Sequence, residues 1–149
     1  MKTNTHSELY FHFSWSTKNR ESTISAQWED RLFGYIRGKC KSLGLLIKAL
    51  NGIQDHVHLL VRARPHHAPA DVAHDVKGAS SHFVNSQCLQ PKRFSWQEGY
   101  GVFSVSAHDV ETVRRYIERQ KEHHSQGTVR REWENCGDGD EDEDIGDDG

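Results

Sequence analysis

The chain has 149 residues, 34% hydrophobic and 28% charged, with a net charge of −3, the make-up of one ordinary globular domain around one core. No apolar run approaches the roughly 18 residues of a membrane span, and the opening MKTNTHSELY holds no apolar signal segment, so neither membrane insertion nor export is expected. Cys40, Cys88 and Cys136 are far apart and odd in number, which argues against a disulfide framework or a zinc ribbon and fits reduced thiols in a cytoplasmic protein.

In chain order, Leu9 to Trp15 (LYFHFSW) places Tyr10 and His12 on one side and Phe11, Phe13 and Trp15 on the other, which predicts a strand. Ser25 to Leu43 predicts a helix: Trp28, Leu32, Phe33, Tyr35, Ile36 and Leu43 recur at three- and four-residue spacings, and Gly44 follows as a stop. Leu45 to Ile53 and Val57 to Arg64 predict two strands. The short link through Gln54 and Asp55 makes them an antiparallel hairpin, with Asp55 read as a turn residue in preference to one that orients an imidazole. Ala70 to Leu89, after Pro69, predicts a second helix, and Val102 to Val105 a short fourth strand. The final helix is expected from Ala107 to His124, with Ser106 and Asp109 as a capping box and Gly127 just past its end. The order predicts an α+β fold, a ferredoxin-like sandwich with antiparallel sheet, βαββαβ plus a C-terminal helix, the helices on one face of the sheet.

The net charge hides an asymmetry. Residues 132–149 hold ten acids and no Lys or Arg, leaving 12 acids against 19 bases in residues 1–131, a net of +7. A basic body suits a polyanion such as nucleic acid. The Gly- and Asp/Glu-rich run NCGDGDEDEDIGDDG has too little apolar surface to offset its ordering entropy, so residues 1–131 are read as the domain and 132–149 as an acidic disordered tail.

Two elements carry chemistry. In DHVHLLV, strand alternation points His56 and His58 the same way, roughly 7 Å apart along the backbone, close enough for both imidazoles to reach one metal ion. The adjacent pairs His66-His67 and His123-His124 diverge and are given no role. In VETVRRYIERQKEHH, Val110, Val113 and Ile117 form the buried stripe, and Tyr116 and Gln120, four apart, share a neighbouring stripe of the same helix. A tyrosine hydroxyl is a poor nucleophile near its usual pKa of about 10; nearby cations, or a metal that polarises a phosphodiester, would help it. Gln120 offers a neutral, hard oxygen that suits Mg²⁺ or Mn²⁺ better than Zn²⁺. A zinc hydrolase would need a third acidic or histidine ligand on an HExxH-like helix, which is not seen.

With these residues the chain resembles the single-tyrosine HUH transposases of the insertion-sequence 200/605 group. The likeness rests on His56-Val57-His58 in QDHVHLLV, on Tyr116 in VETVRRYIERQ, and on the connecting segments VKGASSHFVN and FSWQEGYGVFSVS; it runs from about Glu8 to His124. It implies a homodimer that recognises DNA hairpins at the ends of a mobile element. Tyr116 would attack a phosphodiester in single-stranded DNA, forming a 5′-phosphotyrosine link and freeing a 3′-hydroxyl. His56, His58 and Gln120 would hold Mg²⁺, or Mn²⁺ in vitro, and no nucleotide cofactor would be needed. A cytoplasmic, nucleoid-associated place in a prokaryote and no membrane follow as expectations. The alternative is a domesticated relative that binds or processes hairpins without transposition. Lys77, Ser80, Arg114 and Arg115 are candidate DNA contacts, while Phe94 and Trp96 fit the core as well as base stacking.

Overall fold

The computed structural model describes residues 4–137. The elements are β1 (Leu9–Ser16), α1 (Glu29–Ser42), β2 (Leu46–Ile53), β3 (His56–Ala63), α2 (Pro69–Ser86), β4 (Gly101–Val105), α3 (Val110–Glu118) and α4 (Gln120–Gln126). The four strands form one antiparallel sheet in the order β2-β3-β1-β4, the arrangement a βαββαβ chain adopts, so the expected α+β fold is found. Gln54 and Asp55 make the two-residue turn of the β2-β3 hairpin, where Ile53 pairs with His56. Gly44 and Gly127, the two expected helix stops, lie just past α1 and α4 in left-handed conformation.

The helices cover both faces of the sheet, not one. Phe13, Trp15, Val57, Leu59 and Val61 point to the face packed by α1 and α2, in the larger core with Leu32, Ile36, Val76 and Val84. Phe94 and Trp96 belong to this core, meeting edge to face at 4.7 Å. Alternation sends Tyr10 and Leu60 to the opposite face, where Val110, Val113, Tyr116 and Ile117 of α3 bury against them. The predicted stripe of Val110, Val113 and Ile117 is therefore real, and it seals the second face. The third helix goes there because the first face is already filled by α1 and α2.

The single final helix expected from the sequence is two. At Arg119 the backbone leaves helical values (φ −101°, ψ 20°). A tertiary contact accounts for the break: the Asn51 side-chain amide donates to the Glu118 carbonyl at 3.0 Å, drawing it out of the ladder. Lys121 at the start of α4 then donates to Asn51 Oδ1 and Gly52 O and pairs with Glu29, tying α4 to β2 and α1. The expected capping box is also altered: Ser106 Oγ donates to the Asp109 carboxylate at 3.0 Å, and neither side chain caps a backbone N–H.

Residues 132–137, the start of the expected tail, are among those described. A 3₁₀ turn at Arg131–Trp133 leads into a strap along residues 134–137 that packs on the domain. Ser14 Oγ donates to Asn135 O at 2.7 Å, and Cys136 is buried. Gly101 makes the close approach possible, since a Cβ there would sit 1.8 Å from Asn135 O. Residues 138–149, the rest of the expected acidic tail, lie outside the described residues.

Candidate active site

The site lies on the sheet face covered by α3 and α4. Register places Ser14 opposite His58 and Ser16 opposite His56, so the central pair β1-β3 forms its floor. His56 and His58 point the same way, as alternation requires, with ring centroids 5.0 Å apart, while Val57 enters the core behind them. Both imidazoles are buried.

Tyr116 descends from α3 and Gln120 from the start of α4. The helix break does not separate them: both side chains are buried and both reach the same carboxylate, that of Glu134. The Tyr116 hydroxyl donates to Glu134 Oε1 in a short hydrogen bond and accepts from the Arg130 N–H at 2.9 Å. Gln120 Nε2 donates to the same oxygen at 3.2 Å. Glu134 Oε2 lies 3.1 Å from His56 Nε2 and 2.9 Å from His58 Nε2. All four residues expected at the site thus meet within one chain.

The protonation pattern follows from the partners. Burial opposes a charge on His56, but the Asp55 and Glu134 carboxylates outweigh it and raise its pKa to about 9. Burial holds His58 below the ordinary histidine range. Its Nε2 gives a proton to Glu134, so its Nδ1 accepts from His12 Nε2 at 2.8 Å. His12 is neutral, its pKa pushed down to about 3 by burial and by neighbouring His58. Glu134 stays ionised: burial opposes this, but its hydrogen bonds from His56 and His58 hold it far below the usual carboxylate range. Burial, with the hydrogen bond to Glu134, pushes Tyr116 up to about 12.

Sequence reasoning missed several participants. Asp55, expected in the turn role in preference to orienting an imidazole, fills both: it also accepts from His56 Nδ1 at 2.7 Å. The pair His123-His124, given no role, flanks the site: His123 stacks on Tyr116 with centroids 4.5 Å apart, and His124 Nε2 lies 3.2 Å from Gln120 Oε1 and 3.4 Å from Glu134 Oε1. Their adjacency hid the useful spacing, since His124 follows Gln120 by one helical turn. Glu134 was assigned to the tail, although Trp133 and Cys136 around it are the last large apolar residues before the Asp/Gly run. His66-His67 stays remote; His67 Nε2 bonds the Leu43 carbonyl at 2.7 Å.

The candidate DNA contacts fare unevenly. Ser80 is fully buried, donating to the Lys77 carbonyl and accepting from Trp96 Nε1. Lys77 is committed to the Gln97 and Gly99 carbonyls at 2.8 and 2.6 Å. Arg114 is held by Glu111 and Glu118 on its own helix. Arg115 is exposed.

The donor set could hold a metal ion. With Nδ1 fixed by Asp55, His56 presents Nε2 to the site, the arrangement in which a metal-binding histidine is oriented by a carboxylate. Ligand atoms of His56, His124 and Glu134 all lie within 4.8 Å of one another, and Gln120 Oε1 is 3.2 Å from His56 Nε2.

Residues 5–120 match the family model described as transposase, IS200 like. The chain belongs to the IS200-like transposase family. It is 30% identical over 118 residues to the ISDra2 transposase TnpA of Deinococcus radiodurans, a match covering 76% of this chain and 84% of the relative. The crystal structure of a putative transposase from the same organism superposes with a TM-score of 0.65 at 31% identity, covering 80% of this chain and 96% of that one. A REP-associated tyrosine transposase bound to a REP hairpin shares the fold, with a TM-score of 0.60 at 16% identity over 87% of this chain and 76% of that one. Within this IS200-like transposase the matched segment holds His56, His58, Tyr116 and Gln120, whereas Glu134 and its strap fall beyond it. No helix among the described residues is long and apolar enough to cross a membrane.

Proposed function

We propose that this IS200-like transposase cleaves and rejoins single-stranded DNA through Tyr116. One observation carries the reading: the Tyr116 hydroxyl, the Nε2 atoms of His56 and His58 and the Gln120 amide converge on one small volume, now spanned by the Glu134 carboxylate. A phosphodiester held by a cation on the two imidazoles and the amide would therefore stand beside the Tyr116 hydroxyl.

His56, His58 and Gln120 would hold Mg²⁺ or Mn²⁺, which supplies Lewis-acid polarisation of the phosphodiester. The rest is the work of the chain. Asp55 fixes the His56 ring, and His12 fixes the tautomer of His58. His123 stacks on Tyr116 and limits its swing, so the hydroxyl stays near one spot. The Arg130 N–H, already on the Tyr116 oxygen, stabilises the phenolate as it forms. In the step itself the Tyr116 oxygen bonds to phosphorus, and its proton, relayed by the hydrogen-bonded Glu134 carboxylate, ends on O3′. The bond from phosphorus to O3′ breaks, leaving a 5′-phosphotyrosine and a free 3′-hydroxyl.

The substrate reading, hairpin DNA at element ends, is supported by the basic body and by the shared fold of the hairpin-bound REP-associated transposase. A homodimer is inferred from the family resemblance; the four named residues meet within one chain without it. The competing reading is a domesticated relative that binds or processes hairpins without transposition.

The deciding experiment uses single-stranded oligonucleotides from both flanks of the gene, labelled at the 3′ end and run on a denaturing gel. Label migrating with the protein in Mg²⁺, and lost with EDTA or in Tyr116→Phe, establishes the transesterase. A second strand with a free 3′-hydroxyl then tests rejoining. Tight hairpin binding with no adduct favours the domesticated relative.

A further inference from the structure

Glu134 stands outside the matched family segment, yet its carboxylate reaches His56, His58, Tyr116 and Gln120. Its two oxygens divide the work. Oε2 faces the histidines, at 3.1 Å from His56 Nε2 and 2.9 Å from His58 Nε2. Oε1 takes the Tyr116 hydroxyl and the Gln120 amide. Building on the metal-dependent reading above, we infer that Glu134 is a fourth protein ligand of the divalent cation, through Oε2, and that Oε1 ties the cation to the nucleophile.

Geometry supports this first. Mg²⁺ and Mn²⁺ hold oxygen and nitrogen ligands about 2.1 Å away in an octahedron, so neighbouring ligand atoms stand about 3.0 Å apart. Three separations are of that size: His56 Nε2 to Glu134 Oε2 at 3.1 Å, His58 Nε2 to Glu134 Oε2 at 2.9 Å, and His56 Nε2 to Gln120 Oε1 at 3.2 Å. Ligand chemistry agrees. Two imidazoles and an amide are neutral and partly soft for Mg²⁺, and one carboxylate supplies the charged hard oxygen such ions prefer. Four protein ligands of six leave two positions, enough for a phosphate oxygen and a water.

The placement is also built rather than incidental. Glu134 is fixed by the strap: Trp133 packs against Tyr116 with centroids 4.9 Å apart, Ser14 holds Asn135, and Cys136 is buried. The opposing possibility is that the carboxylate imitates a substrate phosphate and must leave before DNA enters. The two ideas predict opposite effects of removing its charge.

Mn²⁺ binding to the full chain, followed by the loss of the free-ion electron paramagnetic resonance signal, separates them. For a ligand, Glu134→Gln weakens Mn²⁺ binding at least about tenfold, and Glu134→Asp, which keeps a carboxylate, recovers part of it and guards against a folding artefact. Mn²⁺ binding as tight as wild type or tighter in Glu134→Gln, with faster formation of the covalent adduct, overturns the inference and makes Glu134 a plug. His56→Ala is the control for the underlying reading. If that variant binds Mn²⁺ like wild type, the metal centre itself is wrong, whereas loss in His56→Ala with none in Glu134→Gln removes only the role of Glu134.

Discussion

Asp55 Oδ1 accepts a hydrogen bond from His56 Nδ1 at 2.7 Å, and the same residue's backbone carbonyl accepts from the Thr17 N–H at 2.8 Å. Turn and orientation thus reside in different atoms of one residue. The contact with His56 also holds the Asp55 carboxyl below its ordinary range.

Asp55→Asn separates them. The backbone bond to Thr17 survives, so the hairpin and its unfolding midpoint change little. The His56 ring loses its carboxylate partner, and Mn²⁺ affinity falls about 10- to 100-fold. Isothermal titration with Mn²⁺ checks this; unchanged affinity returns Asp55 to the turn alone.

Tyr116→Phe removes a hydroxyl bonded to both Glu134 and the Arg130 N–H. Covalent adduct disappears, while the buried ring keeps its packing. The lost hydrogen bond to an ionised carboxylate costs about 1.5–3 kcal/mol, read from urea unfolding. Residual adduct in this variant would point to another nucleophile.

Ile117→Ala tests whether α3 positions the tyrosine through packing. Ile117 is fully buried in the smaller core, one residue from Tyr116. Truncation costs about 2–5 kcal/mol, and adduct formation falls more than Mn²⁺ binding, because His56 and His58 stand on the sheet. Equal losses in both would count against a separate role for α3.

Gly101→Ala drives a methyl group into Asn135 O, at 1.8 Å, and toward Ser14 Oγ, at 2.9 Å. Backbone must yield, so the strap should detach while the domain stays folded. Faster proteolysis between residues 127 and 137, with an unchanged far-ultraviolet spectrum, is the expected outcome; a strap equally resistant to protease contradicts it.

The thiols give an independent check. Cys88 is exposed while Cys40 and Cys136 are buried. Burial pushes the Cys40 thiol up to about 12, so raising the pH from 7 to 9 leaves it protonated and unreactive. A disulfide-exchange reagent should label one thiol quickly in the folded chain and all three in urea. In Gly101→Ala, Cys136 should join the fast class.

Local pattern carried the fold a long way. Period-two runs such as LYFHFSW, the two-residue link Gln54-Asp55 and the stripe of Val110, Val113 and Ile117 fix strands, hairpin and helix through contacts a few residues apart. Alternation likewise put His56 and His58 on one face, and the family resemblance put Tyr116 and Gln120 with them. Three things depended on partners distant in sequence. Asn51, on β2, bonds the Glu118 carbonyl and breaks the last helix. The filled face under α1 and α2 sends α3 to the other side of the sheet. Glu134 enters the site only because Ser14 and Gly101, on neighbouring strands, offer its strap a place to dock. In sequence that glutamate reads as one charge among ten, since composition averages over a segment, whereas a single well-placed carboxylate is decided by the surface that receives it.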